Sequence, residues 1–261
     1  MIYLSRGVVG TLRKEGSAVV SLDLGMSFHR ASFSDLEGIP LDGVKGDFLY
    51  AWDGKCLYKL AAFDQHFYRL RMLSGKPILE IDGVRMHLAR DFADVFDYSK
   101  MITRILRIGP EDEVLDTCTG LGYTAIAAAK KARGVVTIER SRAVLALAEW
   151  NPWSRELFTS GNIRMIKGDA YSEVPRLRPV FTKIIHDPPR FSHAGRLYSA
   201  EFYRRLASVS RKGALLFHYF GSLRRKSRDV SREVRTRLSG SGWEIERFHP
   251  GLQGCTARKI W

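Results

Sequence analysis

From Glu113 onward, short apolar runs typical of strands alternate with runs of helical spacing, and this alternation restricts the fold more than any other feature. The strand-like runs cover residues 113–118, 134–140, 163–169, 182–187 and 214–220, and helical patterns separate most of them. Strands joined by helices of this length form right-handed crossovers, which place the strands parallel in one sheet. Two more strand-like runs, 243–248 and 256–261, predict an antiparallel hairpin at the end. We therefore predict an α/β fold with a doubly wound, Rossmann-like seven-stranded sheet that ends in this hairpin.

The first ninety or so residues have a different pattern, with short strand-like runs and two Asp-Gly turns. The runs cover residues 8–12, 18–24, 48–52, 55–60, 77–81 and 84–88. Asp53-Gly54 and Asp82-Gly83 each separate two such runs, which is a strong signal for a two-residue hairpin turn. The sequence thus predicts a small antiparallel β domain over residues 1–92 that positions the substrate. A catalytic domain over residues 93–261 follows, beginning with a helix near residues 94–107.

The net charge of +14 is unevenly distributed. Residues 1–97 carry 12 Lys and Arg against 13 Asp and Glu, whereas residues 98–261 carry 30 against 15. Clustered cations attract phosphate backbones, so the sequence predicts an RNA partner for the second segment. The cations that follow the strand-like run at 182–187 are Arg204, Arg205, Arg211, Lys212, Arg224, Arg225, Lys226, Arg228, Arg232, Arg235 and Arg237.

Other features exclude several classes of protein. No apolar run approaches the roughly 18 residues of a membrane span, and no signal pattern opens the chain, so we expect a cytoplasmic protein without a membrane partner. Cys56, Cys118 and Cys255 lie far apart without paired spacing. This spacing favours neither a disulfide framework nor a zinc site, and we expect no metal.

A glycine-rich turn follows the first strand of the predicted sheet. Asp116, Thr119, Gly120 and Gly122 belong to the run Asp-Thr-Cys-Thr-Gly-Leu-Gly-Tyr-Thr-Ala, which leads into a helix. Glycines at such a turn allow positive φ and let a ligand approach the backbone. Glu139 ends the second strand, where a carboxylate can accept hydrogen bonds from ribose. The pattern also fits a dinucleotide site, but Asp116 beside the glycines suits a cofactor with an ammonium group better than one with a pyrophosphate.

At these residues the chain resembles the class I S-adenosylmethionine-dependent methyltransferases, over about residues 95–261. The resemblance implies that S-adenosylmethionine is the cofactor. It implies that Asp116, Gly120 and Gly122 surround the methionine part, with Thr119 beside them, and that Glu139 holds the ribose. Asp169, followed by Ala170, would meet the adenine amino group, although Asp169 also fits an ordinary helix N-cap.

The run Ile-Ile-His-Asp-Pro-Pro-Arg places Asp187, Pro188 and Pro189 just past the fourth strand, at the sheet edge where such folds bind ligands. It resembles the D/N/S-P-P-aromatic motif of methyltransferases that act on the exocyclic amine of adenine, cytosine or a glutamine side chain. An aromatic amine is a poor nucleophile, and Asp187 and the Pro188 carbonyl can accept hydrogen bonds from one NH₂ group. Arg190 stands where the family pattern has an aromatic residue, so either Phe191 or the Arg190 guanidinium stacks on the base.

Residues 186–199, together with the small β domain, resemble an archaeal methyltransferase family linked to cytidine N4 methylation of ribosomal RNA. The resulting hypothesis is an RNA methyltransferase with catalytic residues Asp187, Pro188, Pro189, Arg190 and Phe191. One alternative is an aminopropyl- or methyltransferase that acts on a polyamine or a protein side-chain amine, and another is a catalytically silent RNA-binding subunit. A polyamine enzyme is expected to have an acidic pocket, and a silent subunit is expected to have lost Asp187 or the cofactor acids.

Overall fold

The structure, a computed structural model, describes residues 1–87, 92, 94–221, 224–225 and 228–261. Its first half is built mainly of short antiparallel strands. The elements are β1 Ile2–Ser5, α1 Arg6–Glu15, β2 Ser17–Val20, β3 His29–Ser32, β4 Leu49–Trp52, β5 Leu57–Lys59, β6 Ala61–Phe63, β7 Phe67–Leu73, β8 Lys76–Ile81 and β9 Val84–Arg85. They form sheets in the orders β1-β4-β5, β2-β3 and β6-β7-β8-β9.

The predicted strand at residues 8–12 is wrong, because these residues lie inside helix α1. Ser5 caps the helix by accepting a hydrogen bond from the Val8 N–H at 3.3 Å, and Gly16 ends it in the left-handed conformation with φ +71°. Val9 and Leu12, three residues apart, are its buried side chains. A capping serine followed by apolar residues at helical spacing is the signal that identifies this helix.

The two Asp-Gly turns behave differently. Ile81 pairs with Val84 across Asp82-Gly83, so that turn is the predicted two-residue hairpin. Trp52 pairs with Leu57, so the connection at Asp53-Gly54 has four residues instead of two. The Asp53 carboxylate accepts hydrogen bonds from the backbone of residues 55 and 56, which stabilises the wider turn.

The second half begins with a helix and continues as the alternating pattern predicts. Its elements are α2 Val95–Ile105, β10 Glu113–Asp116, α3 Tyr123–Ala129, β11 Gly134–Glu139, α4 Arg142–Glu149, α5 Arg155–Thr159, β12 Ile163–Lys167, α6 Ala170–Glu173, β13 Phe181–His186, α7 Phe191–Ala194, α8 Ala200–Ser208, β14 Ser210–Tyr219, β15 Arg224–Arg225, β16 Arg228–Asp229, α9 Val230–Ser239, β17 Trp243–His249 and β18 Gly254–Lys259.

The main sheet has the strand order β12-β11-β10-β13-β14-β18-β17. The first five of these strands run parallel, and β18 pairs antiparallel with both β14 and β17. The prediction of a large, mostly parallel, doubly wound sheet is confirmed. The order reverses between β10 and β13, and open α/β sheets bind ligands at the carboxyl ends of strands beside such a reversal.

One hydrophobic core connects the two halves of the chain. Leu70 and Ile78 of the β6–β9 sheet belong to the same buried cluster as Ile102 of α2 and Val144 of α4. This shared core fixes the β6–β9 sheet over the carboxyl edge of the main sheet. The domain boundary at residue 92 stays a prediction. Within the described residues, none of the helices combines the length and the apolar character needed to cross a bilayer.

Candidate active site

A cavity of about 250 Å³ lies at the carboxyl ends of β10, β11 and β13. Most of the residues that the sequence pattern assigns to the site line it. They are Thr119, Gly120, Glu139, Asp169, Ala170, Asp187, Pro188, Pro189 and Arg190. The strand order explains this convergence, since parallel neighbouring strands present their carboxyl ends at one edge of the sheet.

Asp116 ends β10 directly before the cavity-lining residue Thr117, and it is not itself part of the lining. Its side chain is fully buried, and its Oδ2 accepts hydrogen bonds from the Thr124 and Thr137 hydroxyls at 3.1 Å each. Its Oδ1 has no hydrogen-bond partner among the described residues. Burial raises the pKa of Asp116 to about 7, against the lowering effect of the two hydroxyls. A buried carboxylate oxygen without a donor fits a site built for a cationic ligand.

The two glycines of the turn have different roles. Gly120 has φ +55°, and a Cβ there would meet no atom within 4 Å, so its backbone faces open space that a ligand can enter. Gly122 has φ +80° at the start of α3, and a Cβ there would lie 2.8 Å from the Leu157 side chain. Gly122 does not line the cavity, and its small size serves helix packing. Its place beside the cofactor stays a prediction.

Glu139 closes the turn from the neighbouring strand. Its Oε2 accepts a hydrogen bond from the Gly120 N–H at 3.0 Å, and its Oε1 accepts one from the Ser141 N–H at 2.9 Å. Burial raises the pKa of Glu139, and these backbone donors act in the opposite direction. The carboxylate is therefore held in one orientation at the cavity wall, with lone pairs left for ligand hydroxyls.

Asp169 has both of the roles considered from sequence. Its Oδ1 accepts a hydrogen bond from the Tyr171 N–H at 2.9 Å, which makes it the N-cap of α6, and the residue also lines the cavity. The N-cap fixes the side chain beside Ala170 at the cavity wall.

Asp187 is half-buried inside the cavity, one residue after β13. Burial raises its pKa to about 7, and the nearby Tyr98 hydroxyl of α2 acts in the lowering direction. The Tyr98 hydroxyl is itself buried and makes no hydrogen bond of ordinary geometry to the described residues. Tyr98 was not predicted as a site residue; its position in a helix before the main sheet gives no local signal.

Tyr198 holds the two prolines that follow Asp187. Its hydroxyl donates to the Pro189 carbonyl at 2.9 Å and lies 3.4 Å from the Pro188 carbonyl. Because the shorter bond goes to Pro189, the Pro188 carbonyl keeps most of its accepting capacity. Arg190 is exposed and lines the cavity, whereas Phe191 lies outside the lining, half exposed, with its ring centroid 5.6 Å from that of Tyr198.

Two buried histidines lie under the motif. His186 bonds through Nδ1 to the Thr117 hydroxyl and through Nε2 to the Leu197 carbonyl, both at 2.8 Å. Its ring stacks on that of His218 at 4.7 Å, and burial lowers the pKa of both residues. His218 is thus a neutral core residue that bonds to the Tyr203 hydroxyl.

The first half of the chain also contributes to the cavity. His66, Tyr68, Ile81, Arg85 and Met86 line it from the β6–β9 sheet. The sequence pattern did not identify these residues, because the contact depends on how the two halves pack. The side chain of Arg85 is exposed at this wall.

The described basic side chains between residues 204 and 237 divide into two groups. Arg205 donates to the Tyr171 carbonyl and to Glu201, and Arg237 donates to the Tyr198 carbonyl and to Glu233, so these two stabilise the fold. Five others are exposed, namely Arg204, Arg211, Lys212, Arg232 and Arg235. The side chains of Arg224, Arg225 and Arg228, and all of Lys226, lie outside the described part of the chain. At the cavity itself the cations are Arg85, Arg140, Arg190 and Arg196.

No protein-family model matches the chain. The uncharacterized protein MJ1233 of Methanocaldococcus jannaschii is 40% identical over 225 residues, which cover 85% of this chain and 76% of that protein. The chain belongs to the same family as this protein.

More distant relatives have named activities. The 23S rRNA (uracil(1939)-C(5))-methyltransferases RlmD of Yersinia enterocolitica and Cronobacter sakazakii are 28% and 32% identical, each over 48% of this chain. The match covers 30% and 31% of those proteins, so the chain corresponds to less than a third of their length.

Solved structures share the fold at low sequence identity. Spermidine synthase in complex with the transition-state analogue AdoDATO has a TM-score of 0.63 at 14% identity, over 83% of this chain and 76% of that one. Spermidine synthase from Thermotoga maritima gives 0.60 over the same shares. The fold is that of the class I S-adenosylmethionine-dependent methyltransferases, and S-adenosylmethionine is the cofactor expected for it.

Proposed function

We propose that the protein transfers a methyl group from S-adenosylmethionine to an exocyclic amine of an RNA base, with N4 of a cytidine in ribosomal RNA as the target. The observation that carries the proposal is the pair of acceptors at the end of β13. The Asp187 carboxylate and the Pro188 carbonyl lie on adjacent residues at the cavity, beside the glycine turn that starts α3.

The cofactor, when bound, supplies an electrophilic methyl group on a sulfonium. The Asp116 Oδ1 would face its ammonium group, Glu139 would accept from its ribose hydroxyls, and Asp169 would meet its adenine end. These roles agree with the orphaned buried oxygen of Asp116 and with the open space at Gly120.

The chain's own residues would act mainly on the amine. Asp187 and the Pro188 carbonyl each accept one N–H, which turns the nitrogen lone pair away from the base ring and stabilises the positive charge that develops on nitrogen. The new N–C bond forms as the S–C bond breaks, and the nitrogen then loses one proton. Asp187 can take this proton, because its pKa of about 7 matches the working pH. Tyr198 keeps the Pro188-Pro189 backbone fixed during these steps.

Charge at the cavity supports an RNA substrate. Arg85, Arg140 and Arg196 are exposed and line the same cavity as Asp187, and Arg190 follows the motif directly. Guanidinium groups bind phosphates in a bidentate manner and also stack on bases. The rRNA methyltransferases among the distant relatives agree with this class of substrate, although their own target is a uracil carbon.

A second candidate is aminopropyl or methyl transfer to a polyamine. The observation that favours it is the structural match to spermidine synthase, which covers 83% of this chain and so extends into its β-rich first half. The four arginines at the cavity argue against it, because a polycation would be repelled by them.

The deciding experiment offers both substrates to the purified protein with labelled S-adenosylmethionine. Deproteinised ribosomal RNA is incubated, digested to nucleosides and analysed by mass spectrometry, and putrescine is tested in parallel, also with decarboxylated S-adenosylmethionine. We expect N4-methylcytidine from RNA, its loss in Asp187→Ala, and full activity in Glu37→Ala, an exposed acid outside the cavity lining. Methylation of a ring carbon or a ribose oxygen, or turnover of putrescine alone, would contradict the proposal.

A further inference from the structure

Three side chains with metal-binding atoms meet at the mouth of the cavity. His66 lies in the turn between β6 and β7, Asp82 lies in the turn between β8 and β9, and His193 lies in α7, three residues after Arg190. One ligand atom from each of them lies within 4.8 Å of the other two. The set therefore joins the β6–β9 sheet to the helix that follows the Asp-Pro-Pro motif.

The Asp82 carboxylate is oriented toward the two imidazoles. Its Oδ1 accepts a hydrogen bond from the Phe67 N–H at 2.9 Å, which leaves Oδ2 facing the histidines. This Oδ2 lies 2.5 Å from His66 Nδ1 and 3.7 Å from His193 Nε2. The two imidazole centroids are 5.2 Å apart.

These separations suit a small divalent ion. Ligand atoms about 2.0–2.1 Å from a tetrahedral zinc ion are separated from one another by about 3.3 Å. The 3.7 Å distance from Oδ2 to His193 is close to that value, whereas the 2.5 Å distance to His66 is a hydrogen bond that would lengthen when a metal ion binds between the two groups. The 3.7 Å contact from Asp82 Oδ2 to His193 Nε2 is too long for a hydrogen bond. All three side chains retain solvent access, with exposed fractions of 30%, 41% and 16% for His66, Asp82 and His193.

The chemistry of the ligands selects the kind of metal. Two imidazoles and one carboxylate form a ligand set that zinc and similar transition metals prefer, and that leaves a fourth position for water or a substrate group. Mg²⁺ and Ca²⁺ require several oxygen ligands, which this cluster does not offer. The arginines at the cavity oppose cation binding by charge alone, so strong coordination to nitrogen is required.

We propose that His66, Asp82 and His193 bind one divalent transition-metal ion of the zinc class. The ion would link the β6–β9 sheet to helix α7, which follows the Asp-Pro-Pro motif. The expectation of no metal was based on the cysteine spacing alone. His66, Asp82 and His193 lie too far apart in sequence to form a spacing motif, so the sequence did not indicate this cluster. The proposal is independent of the methylation target.

The test measures zinc binding to the purified, chelator-treated protein in the absence of RNA and cofactor. Isothermal titration with Zn²⁺ should give one equivalent bound, and His66→Ala, Asp82→Asn and His193→Ala should each weaken binding at least about tenfold, the order reported for the loss of a supporting contact at a metal site. His29→Ala removes an exposed histidine elsewhere, and Cys56→Ser removes the exposed thiol, so both should bind zinc like the wild type.

X-ray absorption on the zinc-loaded wild type gives a second answer that does not depend on whether the variants fold. We expect nitrogen and oxygen ligands at about 2.0–2.1 Å and no sulfur at about 2.3 Å. Zinc should also raise the melting temperature of the wild type and leave that of His193→Ala unchanged. Failure of the wild type to bind zinc, equal binding by the three site variants, or sulfur in the coordination shell would overturn the proposal.

Discussion

Replacing Asp116 by asparagine tests the conclusion that a buried carboxylate is kept for binding at the expense of stability. Asp116 is completely buried, and its two donors both reach Oδ2, while Oδ1 lacks a partner among the described residues. Asparagine has nearly the same shape and carries no charge, and the Thr124 and Thr137 hydroxyls can still donate to its oxygen.

The magnitude follows from the pKa shift. Burial raises the pKa of Asp116 from 3.8 to about 7, and each unit corresponds to about 1.4 kcal/mol, so ionisation above pH 7 costs the folded state about 4 kcal/mol. Because the folded state holds the proton more tightly than the unfolded state, this carboxyl lowers the free energy of unfolding as the pH rises from about 4 to 7. Asp116→Asn should therefore raise the free energy of unfolding by up to about 4 kcal/mol at pH 8. The gain should shrink by about 1.4 kcal/mol for each pH unit below 7.

Urea denaturation at pH 5 and pH 8 measures this gain, and calorimetric titration of S-adenosylmethionine measures what it costs in binding. If Oδ1 faces the ammonium group, the variant should lose about 1.5–3 kcal/mol of binding free energy, the value of a hydrogen bond between charged partners. A variant that is less stable than the wild type at pH 8, or that binds the cofactor equally well, would refute the reasoning.

Four further predictions concern the amine and RNA sites. Asp187→Ala should lower turnover about a hundredfold or more with little change in cofactor affinity, and Asp187→Asn should retain more activity because it keeps one acceptor oxygen. In the wild type, kcat/KM should rise with pH through about 7, the pKa of Asp187, since only the ionised carboxylate can accept the N–H of the amine and then its proton; a flat profile between pH 6 and 8 would argue against this role. Tyr198→Phe should lower kcat more than it raises the KM for RNA, because the loss of its hydrogen bond frees the Pro189 carbonyl; an unchanged kcat would show that the bond is only structural. RNA affinity should fall with a slope of about 0.7 in log salt per contacted phosphate, and Arg190→Ala should reduce that slope if its guanidinium binds phosphate, whereas an unchanged slope with weaker binding would indicate stacking.

The sequence was most informative where local chemistry determines structure. Alternating apolar runs predicted the parallel sheet, and the glycine turn and Asp187 could be placed at its carboxyl edge because strand ends in such sheets share one edge. Residues 8–12 were predicted as a strand because several of them are apolar. The Ser5 cap and the helical spacing of Val9 and Leu12 instead give helix α1. Asp116 and Gly122 occupy the backbone positions that the motif predicts, and neither lines the cavity, because what surrounds each residue depends on packing.

Residues that reach the site from distant segments could not be predicted in this way. Tyr98 comes from a helix before the sheet, Tyr198 from the turn before α8, and His66 from the first half of the chain. Each contributes through a contact that exists only after the elements have packed, so neither spacing nor composition identifies it.

The stacked histidines beneath the motif make the free energy of unfolding depend on pH. Burial lowers the pKa of His186 to about 4 and also lowers that of His218, so the free energy of unfolding decreases as the pH falls below 6.5. Asp116 and Asp187 have the opposite dependence over the same range, because burial raises the pKa of each carboxyl to about 7. The two carboxyls therefore offset the effect of the two histidines in the wild type. Asp116→Asn removes one of these carboxyls, so the variant should gain stability at neutral pH and lose stability more steeply than the wild type as the pH falls from 6.5 to 4.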